Sequence, residues 1–241
     1  MLSKSKTFKE IQKVFWLSIL AGILIGIGGS VFLMCKNTAT NLPELGTFIG
    51  AVFFCVALLS ICYFGFYLYT GKIGYIVYSH TKADVFSVLV GLIGNFLGAV
   101  GSGLLLSYVK PEYNAVSSAI CNSKLNYMLN NGFQGYFGVF ILGVFCGILM
   151  FVAVNVFKEN KSIVGILFGI PVFILCGFEH SIADMFYFGA ANNIFNLNSL
   201  LFLLLVVLGN TIGGMLIPVL KNLSVLTVKN KESENNSETK N

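Results

Sequence analysis

The sequence has no arginine and little charge of any kind. Its 241 residues include 15 lysines and 10 acidic side chains, so charged residues make up 10% of the chain, against roughly 25% in an ordinary soluble protein. There are two histidines, one tryptophan and four prolines. Each shortage excludes something. Disordered chains combine low hydrophobicity with high charge, and this chain is 56% hydrophobic. Nucleic-acid-binding domains carry clustered arginine and lysine on one face, which is missing here. A mean hydropathy of +0.83 is far too apolar for a cytosolic enzyme. The six cysteines show no CxxC or Cys/His metal spacing, and no Walker, HExxH or Ser/His/Asp pattern is present. No cofactor or metal is expected.

What remains is apolar and rich in glycine. Glycine contributes 26 residues, and small residues let helices approach closely in lipid. Crossing the hydrocarbon core takes roughly 20 apolar residues. Six stretches qualify: residues 14–34, 48–69, 85–109, 133–157, 163–188 and 200–220. Lipid offers no partner to an unpaired backbone group, so all six read as helical. The predicted organisation is a tail over residues 1–13, a six-helix membrane domain over 14–222, and a disordered tail over 223–241, whose last dozen residues contain nothing apolar. The connection between segments 3 and 4 has room for a short interfacial helix. Twelve lysines fall in the two tails and the loops after segments 2 and 4, and three on the other side (Lys36, Lys110 and Lys124). The positive-inside rule then places both termini in the cytoplasm.

Segments 3 and 6 repeat a motif. Gly94-Asn95-Phe96-Leu97-Gly98 and Gly209-Asn210-Thr211-Ile212-Gly213 both read GN-x-x-G, 115 positions apart. Two three-segment halves related by this repeat are inverted in the membrane, because each has an odd number of spans. The same offset relates the glycine-flanked stretch around Gly65 and Thr70 to the one around Gly177 and His180. Helices 2 and 5 are therefore expected to break within the membrane, where exposed backbone must face protein or a polar cavity.

Only Glu179, His180 and Asp184 are ionisable within the spans. Intramembrane ionisable groups are costly and read as functional. As i and i+4 residues, His180 and Asp184 share a helix face, whereas Glu179 points elsewhere and is expected to accept hydrogen bonds from the broken backbone near Thr70. His180 faces a path suited to small anions, which it serves as hydrogen-bond donor or proton source. His80, in a loop beside Lys82, reads as a solvated surface residue.

Residues 177–186 (GFEHSIADMF) resemble the fifth-segment signature of the formate/nitrite transporter family, whose pattern is close to GFEHSIANMF. The GN-x-x-G runs resemble that family's motifs in segments 3 and 6. The resemblance implies an aquaporin-like six-helix protomer assembled as a homopentamer in the bacterial inner membrane. Each protomer would conduct small monovalent anions such as hydrosulfide, formate or nitrite, and none would act as an enzyme. By position it makes His180 the central pore histidine, Glu179 the holder of the broken second helix, Thr70 the threonine of that break, and Asn210 a pore-lining asparagine. It assigns Phe54, Leu58 and Phe173 to a periplasmic constriction, Leu68 and Tyr69 to a cytoplasmic slit, and Lys124 to the vestibule. Asp184 stands where the family usually has Asn, and Gly147 falls roughly where it carries a pore asparagine. The overall look is closest to the hydrosulfide-conducting branch. A passive channel and a proton-coupled symporter both fit these residues. A neutral-solute channel of aquaporin type is a further alternative, although the paired Asn-Pro-Ala motif is missing.

Overall fold

The computed structural model describes residues 8–79 and 81–238, so His80 and the first seven residues lie outside the described part. Among the described residues the chain forms ten α-helices: α1 (Phe8–Thr38), α2 (Pro43–Phe64), α3 (Tyr69–Lys72), α4 (Ile76–Ser79), α5 (Lys82–Val109), α6 (Pro111–Asn130), α7 (Gly132–Asn160), α8 (Val164–Leu175), α9 (Ser181–Ala190) and α10 (Leu197–Glu238). A 3₁₀ turn, Ile73–Tyr75, joins α3 to α4. Five helices are long and apolar enough to cross a membrane: α1, α2, α5, α7 and the Leu197–Val225 part of α10. The expected fifth segment is two short helices, α8 and α9.

Local chemistry sets the helix ends. Pro43 and Pro111 occupy first-turn positions, where the missing N–H costs nothing. The Thr81 hydroxyl caps α5 by accepting from the Asp84 N–H at 3.1 Å. Helix α2 stops at Gly65 (φ 69°), and Gly177 (φ 67°) follows the end of α8. Glycine takes this left-handed conformation without the clash a Cβ would bring.

The packing repeats across the two halves. Helix α1 packs against α2 and α5, and α7 packs against α8 and α10. The short pieces interlock the halves: α9 rests on α5, while α3 and the following turn rest on α7 and α10. Gly147 lies in the α7–α10 seam, where an added Cβ would stand 2.5 Å from the Asn210 carbonyl oxygen and 2.8 Å from the Gly214 nitrogen. It is a packing position, with backbone atoms where a larger side chain would have to stand.

One expectation is corrected. The connection after segment 3 holds a full 20-residue helix, α6. Its average polarity hid it, yet Tyr113, Ser117, Cys121 and Leu125 form a buried stripe at four-residue spacing. Helix α10 runs through Glu238.

Alanine at Gly147 should lower the melting temperature in detergent, at a cost of about 1–3 kcal/mol, because the opposing atoms are backbone. Gly101→Ala, in α5 with nothing within 4 Å of the added Cβ, should leave it unchanged or raised. Equal behaviour of the two variants contradicts the close-packed seam.

Candidate functional site

Each half interrupts a helix and repairs the interruption with one asparagine. In the first half, Asn95 Oδ1 accepts from the Tyr69 N–H at 2.7 Å, and its Nδ2 donates to the Tyr67 and Ser18 carbonyls at 2.9 and 2.7 Å. In the second half, Asn210 Oδ1 accepts from the Ser181 N–H at 2.9 Å, and its Nδ2 donates to the Glu179 and Gly143 carbonyls, both at 2.8 Å. The Tyr67 N–H donates to the Leu17 carbonyl of α1, and the Glu179 N–H to the Leu142 carbonyl of α7, each at 3.3 Å. Both asparagines are fully buried. Orphan backbone groups at helix ends need such partners when water is excluded.

The bonds also correct the repeat register. Tyr69 pairs with Ser181 and Gly65 with Gly177, so the breaks are 112 positions apart rather than the 115 of the GN-x-x-G motifs. The second half has three more residues between break and asparagine, as the 26- and 29-residue separations show.

Two cavities lie at opposite ends of α2. The first, about 130 Å³, is lined by Leu58, Ile61, Leu68, Lys72, Lys158 and Lys161, among others. The second, about 200 Å³, is lined by Phe54, Phe173, Lys36, Lys124, His180 and Asp184, with Glu179 and Tyr187. Many of the lining residues are repeat equivalents at the 112 offset: Ile61 and Phe173, Cys62 and Ile174, Phe66 and Phe178, Leu68 and His180, Lys72 and Asp184, Tyr75 and Tyr187. One structural element is thus used twice, once facing each cavity. Phe54 and Leu58, one helical turn apart and both buried, face different cavities and mark the closure between them.

His180 stands at that closure as the N-cap of α9. Its Nδ1 accepts from the Ala183 N–H at 3.2 Å, and its Nε2 lies 2.9 Å from the Thr70 hydroxyl. An accepting Nδ1 leaves the neutral ring's proton on Nε2, which donates to Thr70. Thr70 keeps its own hydroxyl proton for a further acceptor. Phe173 stacks on the imidazole, with ring centroids 5.7 Å apart.

Helix α6 lays Lys124 across the second cavity. Its ammonium donates to Glu179 Oε2 and lies 3.1 Å from Asp184 Oδ1. Burial works against the lysine charge, but the facing Asp184 and Glu179 carboxylates outweigh it and hold the Lys124 pKa above its ordinary value. The lysine stays cationic.

Several expected roles change. Glu179 does not hold the broken second helix; its side chain holds Lys124, and Asn95 holds the break. Because His180 caps α9 rather than sitting inside it, helical spacing misassigned Glu179, which shares the second cavity with His180 and Asp184. Asn210 lines neither cavity, and its amide oxygen and both amide N–H groups bond backbone. Tyr69 also lines neither: its hydroxyl bonds Thr211 at 2.5 Å. Leu58 sits with Leu68 at the first cavity, while Phe54 and Phe173 face the second. Lys72, Lys158 and Lys161, read from sequence only as markers of sidedness, converge on one cavity. Register 112 in place of 115 would have revealed Lys72 as the equivalent of Asp184. Among the described residues, no group of three or more His, Cys, Asp or Glu is placed to hold a metal ion.

Two cavities at opposite ends of a spanning helix, separated by a few apolar side chains inside an apolar bundle, define a membrane transport protein. The formate/nitrite transporter profile matches residues 2–223, and the chain belongs to that family. It is 28% identical over 189 residues to the uncharacterized transporter YwcJ of Bacillus subtilis, covering 70% of this chain and 69% of that one. It is 25% identical over 192 residues to the formate channel FocA of Escherichia coli K12, covering 75% and 67%. A solved pentameric formate channel with formate bound superposes with a TM-score of 0.76 at 23% identity, covering 92% of this chain and all of that one. A second solved structure, an ion channel of the same family, gives 0.70 at 21% identity over 89% of this chain. These relatives are transporters and channels, not enzymes.

Alanine at Asn95 or Asn210 orphans one N–H and two carbonyls in a dry site. Each orphaned group costs about 1–3 kcal/mol. Both variants should lose most of their folded yield, and thermal melting of whatever folds should show drops of similar size. A melting curve like wild type for either one contradicts its role as the tie across the break.

Proposed function

We propose that this chain is a membrane channel for small monovalent anions of weak acids, with hydrosulfide as the foremost permeant and formate and nitrite also carried. The observation that carries the reading is the pair of repeat-equivalent cavities, each with lysine at its rim and each ending on apolar side chains. Lysines gather anions by raising their local concentration. Apolar closures exclude hydrated ions and pass a small, partly dehydrated one. At the closure the Thr70 hydroxyl, whose proton the His180 contact leaves available, replaces lost water hydrogen bonds. An anion that accepts a proton crosses the apolar ring as a neutral molecule, and hydrosulfide, whose acid dissociates near neutrality, suits that route. The fold is read as aquaporin-like with inverted halves, which the opposed equivalent cavities support. The protein is read as a homopentamer in a bacterial inner membrane with both termini cytoplasmic. The lysine-rich first cavity then opens to the cytoplasm, and the second faces outward.

A proteoliposome flux panel over about pH 5 to 8 tests this. Hydrosulfide, formate and nitrite should pass, and chloride and glycerol should not. Glycerol flux without anion flux points to a neutral-solute channel, and concentrative uptake driven by a proton gradient to a symporter. His180→Ala should change both the pH dependence and the ranking of the anions, because it removes the donor to Thr70 and the face stacked on Phe173. Identical flux at every pH in that variant rules out the role given to His180.

A further inference from the structure

Resting on that reading, we propose that the first cavity is a blocking site for a doubly charged tetrahedral oxyanion, either free phosphate or the phosphate group of a small phosphomonoester. The oxyanion sits among Lys72, Lys158 and Lys161 and stops the path from the cytoplasmic side. The duplication supplies the comparison. The first helices of the two halves match at 125 positions: Leu17 and Leu142 offer equivalent carbonyls at the breaks, and an added Cβ at Gly22 or Gly147 meets the carbonyl of Asn95 or Asn210. In this register Lys161 is the counterpart of Lys36, and each lines its own cavity. One lysine at that position is common to both mouths. The first cavity adds two more. Lys158 stands where the first half has Leu33, and Lys72 where the second half has Asp184. No Asp or Glu is among its described lining residues, whereas Glu179 and Asp184 line the second cavity beside its lysines. Two mouths of one path admit the same singly charged anion, so the extra cations of the first answer to a ligand of higher charge.

The way the ammoniums are held supports the assignment. Lys158 lies 3.7 Å from the centroid of the Tyr75 ring, Lys161 5.6 Å from that of Phe157, and Lys72 5.7 Å from that of Tyr67. A ring steadies a cation without cancelling its charge. The Tyr75 hydroxyl donates to Asn155 Oδ1 at 3.0 Å, so that ring is itself fixed. The nearby carboxylates line other hollows: Glu159 shares one with Lys158 and Tyr75, and Asp84 shares another with Lys72 and Tyr75. Lys161 also carries backbone strain. It ends α7 at φ 55°, the left-handed position that glycine fills without strain. A lysine there sacrifices backbone stability and brings an ammonium to the cavity. Lysine binds phosphate oxygens as a compact point charge. The cavity, about 130 Å³, has room for one tetrahedral oxyanion, and Leu58, Ile61 and Leu68 line it as well. A doubly charged anion loses too much hydration to cross such apolar side chains, so it plugs the path rather than permeating.

The test records formate current through the whole channel in planar bilayers holding a single inserted channel. Inorganic phosphate is added to each chamber in turn, with chloride at matched ionic strength as the control. Each variant is read as a fraction of its own phosphate-free current. Phosphate should block from one side only, and chloride from neither. Lys158→Gln and Lys161→Gln should each raise the half-blocking phosphate concentration about fivefold or more, and Lys161→Arg should keep it near wild type. Lys161→Gly separates the side chain from its backbone: it should weaken the block as Lys161→Gln does, yet raise the melting temperature. An undiminished block in Lys161→Gly, or in the double variant of Lys158→Gln with Lys161→Gln, overturns the proposal. So does equal block from both sides. Block by phosphatidic acid in the bilayer without block by added phosphate assigns the lysines to a lipid headgroup and overturns it too. If wild type carries no formate current, the channel reading fails and this proposal with it; if wild type conducts and phosphate leaves the current unchanged, only the blocking site fails.

Discussion

Everything at the centre of this molecule depends on tying off a broken helix where no water is available. Stopping a helix inside an apolar bundle exposes donors and acceptors at once. An asparagine amide answers both, because it accepts through oxygen and donates twice through nitrogen. Asn95 and Asn210 each make three hydrogen bonds, to the same three kinds of partner: the N–H two residues after the freed carbonyl, that carbonyl itself, and a carbonyl of the first helix of the half. The breaks are thereby fixed rather than loose, and Leu68 and His180, one at each break, are held facing the two cavities.

Duplication gives the path its geometry, and divergence gives it its chemistry. Equivalent positions face the two cavities, but the side chains differ: leucine against histidine, lysine against aspartate, isoleucine against phenylalanine. The first cavity collects lysines, with no carboxylate among its described lining residues. The second sets two lysines against two carboxylates. Among charged side chains, one side is lined by cations alone, and the other pairs cations with carboxylates.

Much of the architecture was legible in the sequence because the bilayer enforces it. Apolar runs of spanning length and the GN-x-x-G repeat led to the helices and the two halves, and the isolated Glu179–His180–Asp184 cluster pointed to residues that line one cavity. What failed did so for physical reasons. Helical spacing could not place Glu179, because the chain there is not helical and His180 is a cap. Asn210 passed for a pore residue, because a sequence shows that an amide is buried but not which backbone groups claim it. Lys124 could not be joined to Glu179 and Asp184, because α6 is too polar on average to announce itself and the ion pairs span 55 and 60 residues of chain.

The central claim is that the two cavities are ends of one path, opening to opposite sides. Cys62 lines the first cavity and its repeat equivalent Ile174 the second. With the other five of the six cysteines replaced, Cys62 can be probed alone, and Ile174→Cys can be probed in a background that lacks Cys62. A charged, membrane-impermeant thiol reagent applied to each side in turn gives the most direct measurement. The account predicts that each cysteine reacts from one side only, that the two sides differ, and that either modification blocks anion flux. Reaction of both cysteines from the same side, or full modification with flux intact, would contradict it.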